Sequence, residues 1–157
     1  MPSRSLLVIA SAALLSAGCG GEEPDSSEVP GGADPEAVEV IDRWSDELRG
    51  GDVEGAAAYW EVPSVAQNGT PPLELVSRDD VVAFNESLPC GAELIRAESE
   101  EERTVATFEL TERPGPGECG PGTGETAKTA FVIEDEKIVE WLRVPDEPLP
   151  APEGPVV

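Results

Sequence analysis

The chain reads as an α+β domain in which helices come first and antiparallel strands follow. Three observations carry that reading. Apolar side chains recur at helical spacing through residues 37–48 and again through 81–88, each run opened by a capping residue. From residue 92 the apolar period drops to two, over segments of strand length. Those segments are separated by acidic or Gly/Pro-rich turns. The expected domain spans residues 34–145, with three N-terminal helices packed on an antiparallel sheet of about four to five strands.

Asp34 is a suitable N-cap, and Pro35 suits the first helical position, where a missing N–H costs nothing. Ala37, Ile41, Trp44 and Leu48 then form one stripe with Val38 and Val40 beside it. Glu36, Glu39, Asp42, Arg43, Asp46 and Glu47 take the wet side. Gly50-Gly51 ends this helix by supplying a left-handed cap. Asp52 starts a short second helix whose face holds Val53, Ala56, Ala57 and Trp60. Residues 62–76 carry Pro63, Pro71 and Pro72 and read as a short strand or irregular segment around a turn at Asn68-Gly69. Ser77 caps a third helix with the stripe Val81, Phe84 and Leu88, which Pro89 stops. Four strands follow, at residues 92–100, 103–113, 126–134 and 137–144. Glu101-Glu102, the Pro/Gly-rich loop 114–124 and Asp135-Glu136 connect them. Ala106, Phe108 and Leu110 mark the core face of the second strand, and Ala127, Thr129, Phe131 and Ile133 that of the third.

The ends of the chain read differently. Arg4 is followed by an apolar run, residues 6–17, too short to span a bilayer as a helix, so residues 1–18 have the pattern of a signal peptide. The run ends in LLSAGCG, which resembles the bacterial lipobox, where the signal peptide is cut before a cysteine that carries a thioether-linked diacylglycerol. Ala17, Gly18 and Cys19 match it; Ser16 stands where leucine is usual, with Leu15 one step further out. The resemblance implies lipidation at Cys19 and a protein held on the extracytoplasmic face of the cell membrane. The alternative is an ordinary secretory signal in which Cys19 is incidental. Lipidating Cys19 would leave Cys90 and Cys119, of three cysteines, to pair in an oxidising compartment, the alternative being two buried thiols. With Glu101-Glu102 as a turn, Cys90 falls opposite the end of the second strand, where the loop bearing Cys119 starts. Residues 19–33, rich in Gly, Pro, Ser and acids, are expected to be a disordered linker, and residues 146–157 a Pro-rich mobile tail.

Helix, short helix, connecting segment, helix and four antiparallel strands is the element order of the nuclear transport factor 2-like superfamily, which includes SnoaL-like and ketosteroid-isomerase-like domains. DRWSDELRGGDVEGAAAYW (residues 42–60) resembles its opening, and DEKIVEWLRV (135–144) resembles its closing strand. The resemblance covers roughly residues 34–145 and implies a cone-shaped barrel, a curved sheet wrapping the first helix around a cavity. Trp44, Tyr59, Trp60, Phe84, Phe108, Phe131 and Trp141 are the large side chains expected to line or fill that cavity. Tyr59, Asn68, Glu74, Glu140 and Arg143 are the polar candidates near its mouth. Ketosteroid isomerases use a pocket carboxylate of raised pKa as a base. Glu140 is the acid to inspect first, although strand alternation puts it on the face opposite Trp141.

The chain has no histidine, and most of its acids fall at caps, turns or helix surfaces, so positioned general acid–base chemistry lacks support. The expected function is a non-catalytic binding or scaffolding module for a small apolar ligand or an envelope protein, without cofactor. The sheet face is the place where two copies could meet as a homodimer. The competing expectation is an isomerase-, dehydratase- or hydrolase-like enzyme using a pocket carboxylate with Tyr59 as hydrogen-bond donor. Charge narrows the partners further. The 157 residues carry 10 basic and 33 acidic side chains, a net charge of −23, and removing residues 1–18 takes away only Arg4, giving −24. Such a balance argues against nucleic acid and against direct adhesion to anionic lipid. The acids are not spaced as a calcium loop, and two distant cysteines without histidine make a poor zinc site.

Overall fold

Helix α1 (Pro35–Gly50) opens as its sequence implies: the Asp34 carboxylate accepts from the Glu36 and Ala37 amides at 3.0 and 3.1 Å. It closes on Gly51, whose φ of 84° is the left-handed conformation that an L side chain resists. Helix α2 (Val53–Ala57) is capped by the Asp52 carboxylate on the Gly55 amide at 2.8 Å. Strands β1 (Trp60–Gln67) and β2 (Leu73–Leu75) follow. Helix α3 (Arg78–Ser87) then begins with a reciprocal box in which Ser77 accepts from the Asp80 amide and Asp80 from the Ser77 amide. Strands β3 (Gly91–Glu100), β4 (Arg103–Thr111), β5 (Thr126–Glu134) and β6 (Lys137–Val144) complete the domain, with a 3₁₀ turn at Gly120–Gly122. The structure, a computed structural model, describes residues 29–145, so the expected signal peptide, Cys19 and the C-terminal tail lie outside the described residues.

The strands form one six-stranded open sheet in the order β2-β1-β6-β5-β4-β3. This corrects the expectation of a barrel of four to five antiparallel strands. The sheet does not close, two strands precede α3, and β1 runs parallel to β6. Trp60, expected on the second helix, is instead the first residue of β1. Pro63 is the reason: it restricts Val62 to extended conformations and cannot continue a helix, so the chain leaves α2 after one turn. Pro63 lies within the register shift between Trp60 and Val65, where β1 has no paired residue on β6. The β3–β4 pairing skips Ile95, and β5–β6 slips at Val132/Ile133; such irregularities bend a sheet.

The sheet's inner face and the helices share one core. From α1 it takes Val40, Ile41, Trp44 and Leu48, from α3 Val81 and Phe84, and from the sheet Phe108, Phe131, Ile138 and Trp141. Asn85 sits fully buried inside it. The Trp44 indole N–H donates to Asn85 Oδ1 at 2.8 Å, and the Asn85 amide donates to the Val81 carbonyl at 2.8 Å. One edge of the sheet is covered by the chain itself. Ala97 donates to the Pro30 carbonyl at 2.9 Å and the Ala33 amide donates to Ala97 at 3.3 Å, which lays the last residues of the expected linker along β3. A Cβ on Gly31 would sit 2.0 Å from the Ala97 carbonyl oxygen, so only glycine permits that approach. The other edge, β2, is three residues long.

Asn85→Ala should therefore destabilise the domain by about 1–3 kcal/mol, because the buried Trp44 N–H loses its acceptor. Urea denaturation of the two proteins measures the difference, and an unchanged midpoint would contradict this role.

Candidate functional site

Two aromatic groups occupy the interior. Trp44, Phe108 and Phe131 meet edge to face, with centroids 5.6 to 6.2 Å apart. Phe84 bridges Trp60 at 5.5 Å and Trp141 at 5.2 Å. These six are the expected pocket aromatics other than Tyr59, and all are buried. Tyr59 stands apart, half-buried in a surface depression with Glu36, Arg43, Asp135 and Lys137.

What space remains is a cleft of about 230 Å³ between the inner face of the sheet and the C-terminal end of α3. Trp44, Phe108 and Trp141 reach it; Trp60, Phe84 and Phe131 do not. Leu48, Leu88, Pro89, Ala92, Leu110 and Ala127 supply the rest of its apolar wall, together with Cys90. Its polar residues are Asn68, Thr129 and Arg143. Alternation along the strands explains three of these positions: Trp141 and Arg143 are two apart on β6, and Arg143 pairs across the sheet with Thr129. The Trp141 indole N–H is buried and has no hydrogen-bond acceptor among the described residues. Among the described residues no carboxylate lines the cleft.

The wall beside α3 is held from several directions. Cys90 and Cys119 form a disulfide, with Cα atoms 4.5 Å apart, and Gly91 pairs with Thr111 at the end of β4 as the turn at Glu101 requires. Arg113, 8% exposed, donates to the Leu88, Glu86 and Asn85 carbonyls at 2.8, 3.0 and 3.2 Å. It thereby caps the negative end of α3. Burial draws its pKa down, against the pull of the Glu86 charge. Glu112 on the other side accepts from Thr123 Oγ1 at 2.8 Å and from the Gly120 and Cys119 amides at 3.0 and 3.3 Å. The Thr123 hydrogen bond, with smaller help from those amides, holds the Glu112 carboxyl below its usual 4.5.

The acids singled out from sequence lie elsewhere. Glu140 pairs with Arg103 at 3.1 Å on the outer face, as strand alternation with Trp141 implies. Glu74 is exposed on β2. Asp42 is the carboxyl whose pKa is raised, first by burial and then by the Asp46 charge, but it belongs to the α1 surface near Arg43, Arg49 and Glu93. Among the described residues no cluster of three His, Cys, Asp or Glu could hold a metal, and no helix is long and apolar enough to cross a membrane. Asn85, Glu112 and Arg113 were not legible as site-forming residues. Each is a polar side chain indistinguishable in pattern from a solvated one.

No family model and no curated protein matches this chain. Solved structures do. A candidate polyketide cyclase from Sinorhizobium meliloti superposes with a TM-score of 0.52 at 14% identity, over 68% of this chain and 94% of that one. A nuclear transport factor 2-like protein of unknown function from Cytophaga hutchinsonii gives 0.53 at 8%, over 68% and 87%. A candidate ketosteroid isomerase from Kribbella flavida gives 0.50 at 16%, over 75% and 85%. The chain therefore has the nuclear transport factor 2-like fold. At these identities the likeness is one of fold, and function has to be argued from the site.

Two outcomes test the walls. Reducing the Cys90–Cys119 bridge should lower unfolding stability by about 3–4 kcal/mol, the chain-entropy value for a loop of this length. Denaturation with and without reductant measures it, and two alkylatable thiols in the unreduced protein would refute the bridge. Glu112 and Asp80 both have folded-state pKa values below their usual 4.5 and 3.8, Asp80 chiefly through its hydrogen bond with Ser77. Their stabilisation is complete above those values and is lost as pH falls through the depressed ones. Glu112→Gln should accordingly melt earlier than wild type at neutral pH, with the gap closing below pH 4.5. A gap independent of pH would exclude the charge-dependent role.

Proposed function

We propose that this chain is a bacterial lipoprotein, anchored through Cys19 to the extracytoplasmic face of the cell membrane, whose domain is a non-catalytic binding module for a small apolar ligand. The observation that carries the binding reading is the interior itself: aromatic side chains fill it and leave an apolar cleft that no carboxylate lines among the described residues. General acid–base catalysis needs a titratable group within hydrogen-bond reach of the reacting atom. The cleft offers an arginine, an amide, a hydroxyl and an indole N–H, none of which is a base near neutral pH. The anchoring reading is supported by LLSAGCG at the end of a short apolar run, and by the acidic Gly/Pro/Ser segment between Cys19 and the domain.

A second reading, an isomerase-, dehydratase- or hydrolase-like enzyme, draws on the names of the S. meliloti and K. flavida proteins. It would need a base in the cleft and Tyr59 beside it. Tyr59 lies outside the cleft, and Glu140 is on the opposite face of the sheet.

Native mass spectrometry of protein purified from its own membranes tests both parts. The wild type should sediment with membranes and carry an apolar small molecule released unchanged, and Cys19→Ala should appear in the soluble fraction or stall as precursor. Membrane association unaffected by Cys19→Ala would remove the anchor. Turnover of the co-purified molecule, lost in Tyr59→Phe, would replace the binding module with an enzyme.

A further inference from the structure

We infer that residues 146–157 of the same chain dock in the cleft, with Leu149 and the prolines beside it against Leu48, Leu88 and Phe108, so that a ligand enters by displacing them. The inference rests on the reading of this cleft as a ligand site and adds its regulation.

Three observations converge on it. The first is where the chain leaves the domain. Trp141 and Arg143 line the cleft from β6, the strand ends at Val144, and the described residues end at the exposed Pro145. The residues that follow therefore start at the mouth of the cleft. The second is composition. In Glu147-Pro148-Leu149-Pro150-Ala151-Pro152-Glu153 an apolar stretch stands between two acids. That stretch can enter an apolar groove while both carboxylates stay in water, so no charge is buried. Prolines also preset an extended backbone, which lets aromatic-lined grooves take such segments at little cost in ordering. Trp44, Phe108 and Trp141 supply an aromatic lining here. The third is a parallel within the chain. On the N-terminal side, Pro30 and Ala33 bond to Ala97 along the β3 edge, and Val29 packs on the core. A flanking segment already serves there as cover for the sheet.

Reach, size and charge favour this occupant over others. Leu149 stands four residues beyond Pro145, about 12 Å of polyproline-type chain, which keeps it close to the mouth. About 230 Å³ is below the roughly 300–1,000 Å³ of drug-sized sites, which suits one leucine side chain and an adjoining proline ring. A segment tethered this closely acts at an effective concentration on the order of millimolar. A contact too weak to hold a separate peptide therefore keeps the tethered one in place. A second copy of the chain has no such tether, and it meets a net charge of −23 with an equal charge of its own.

The test uses the full chain carrying Cys19→Ala, which alters no residue of the domain. Glu153→Cys then supplies the free thiol for a nitroxide label, since Cys90 and Cys119 are paired. Methyl resonances of Leu48, Leu88 and Leu110 on the cleft should broaden more than those of Val132 and Ile133, further along β5. In parallel, 2-naphthol, a neutral apolar probe, is titrated by calorimetry into the unlabelled full chain and into a chain ending at Pro145. Removing residues 146–157 should tighten its binding about three- to tenfold, the gain expected when a tethered competitor is taken away. Leu149→Asp in the full chain should do the same. Even broadening of the two sets of methyls, or equal probe affinity with and without residues 146–157, would overturn the docking and leave the cleft as an open ligand site. Selective broadening with no probe bound by the shortened chain would instead overturn the reading of the cleft as a ligand site and leave the docking standing.

Discussion

Trp44 has to be buried, since it lies on the one apolar stripe of α1, and burying it leaves an indole N–H that must find an acceptor. Asn85 meets that need from a different helix, 41 positions along the chain. The bond does more than satisfy two groups. It sets α3 against α1 inside the aromatic core, with Val81 and Phe84 on the same side of α3 as Asn85. Once α3 is placed there, its C-terminal carbonyls point into a region closed to water. Arg113 supplies them with donors at the end of β4, and the Cys90–Cys119 bridge ties the next residues to the following loop. A hydrogen bond in the core is thus the reason that the far wall of the cleft stands where it does.

The same filling decides what the fold can do here. A sheet of this kind could enclose a large cavity, yet Phe131 and Ile41 are completely buried, one aromatic group gathers around Trp44 on α1, and another reaches Trp141 on β6. Close-packed interiors leave no partial vacancies for a substrate to exploit. The usable space is pushed to the end of the core, where α3 stops and β6 runs out. There the side chains change from large aromatics to Ala92, Ala127, Thr129 and Asn68. Small residues against a rigid aromatic floor make a cleft.

Much of the architecture was legible because local signals and tertiary demands agree. Asp34, Asp52 and Ser77 cap the helices as their side-chain chemistry implies, and the hairpins turn at Glu101-Glu102 and Asp135-Glu136. The pairing of Cys90 with Cys119 was expected from the cysteine count, and those turns bring the two together. Strands β1 and β2 were harder to read for a physical reason. The buried positions of β1 after Trp60 are Ser64 and Ala66, residues too small to register as an apolar alternation, and a proline interrupts it. The parallel pairing of β1 with β6 joins strands about 75 residues apart, beyond the reach of any turn signal. At the site, six aromatics were recognisable as interior, but a partly filled cone and an open one have the same sequence pattern, because both require the same inward faces. Asn85 and Arg113 eluded the sequence because a satisfied buried polar group is defined by its partners, and those are distant in the chain.

The arginines show how a chain this acidic divides its cations. Arg43, Arg49, Arg78, Arg96 and Arg103 each lie within 4 Å of a carboxylate on the surface, in exposed pairs of the kind that add little to stability. They relieve local repulsion among a large excess of acids. Arg113 is placed otherwise: it is buried, and its donors are spent on the carbonyls at the end of α3. A cation withdrawn from water costs desolvation, which hydrogen bonds to several carbonyls offset, and the low dielectric around it strengthens each of those bonds. Position within the fold, more than the count of basic residues, decides whether an arginine in this acidic domain relieves surface repulsion or holds a helix end in place.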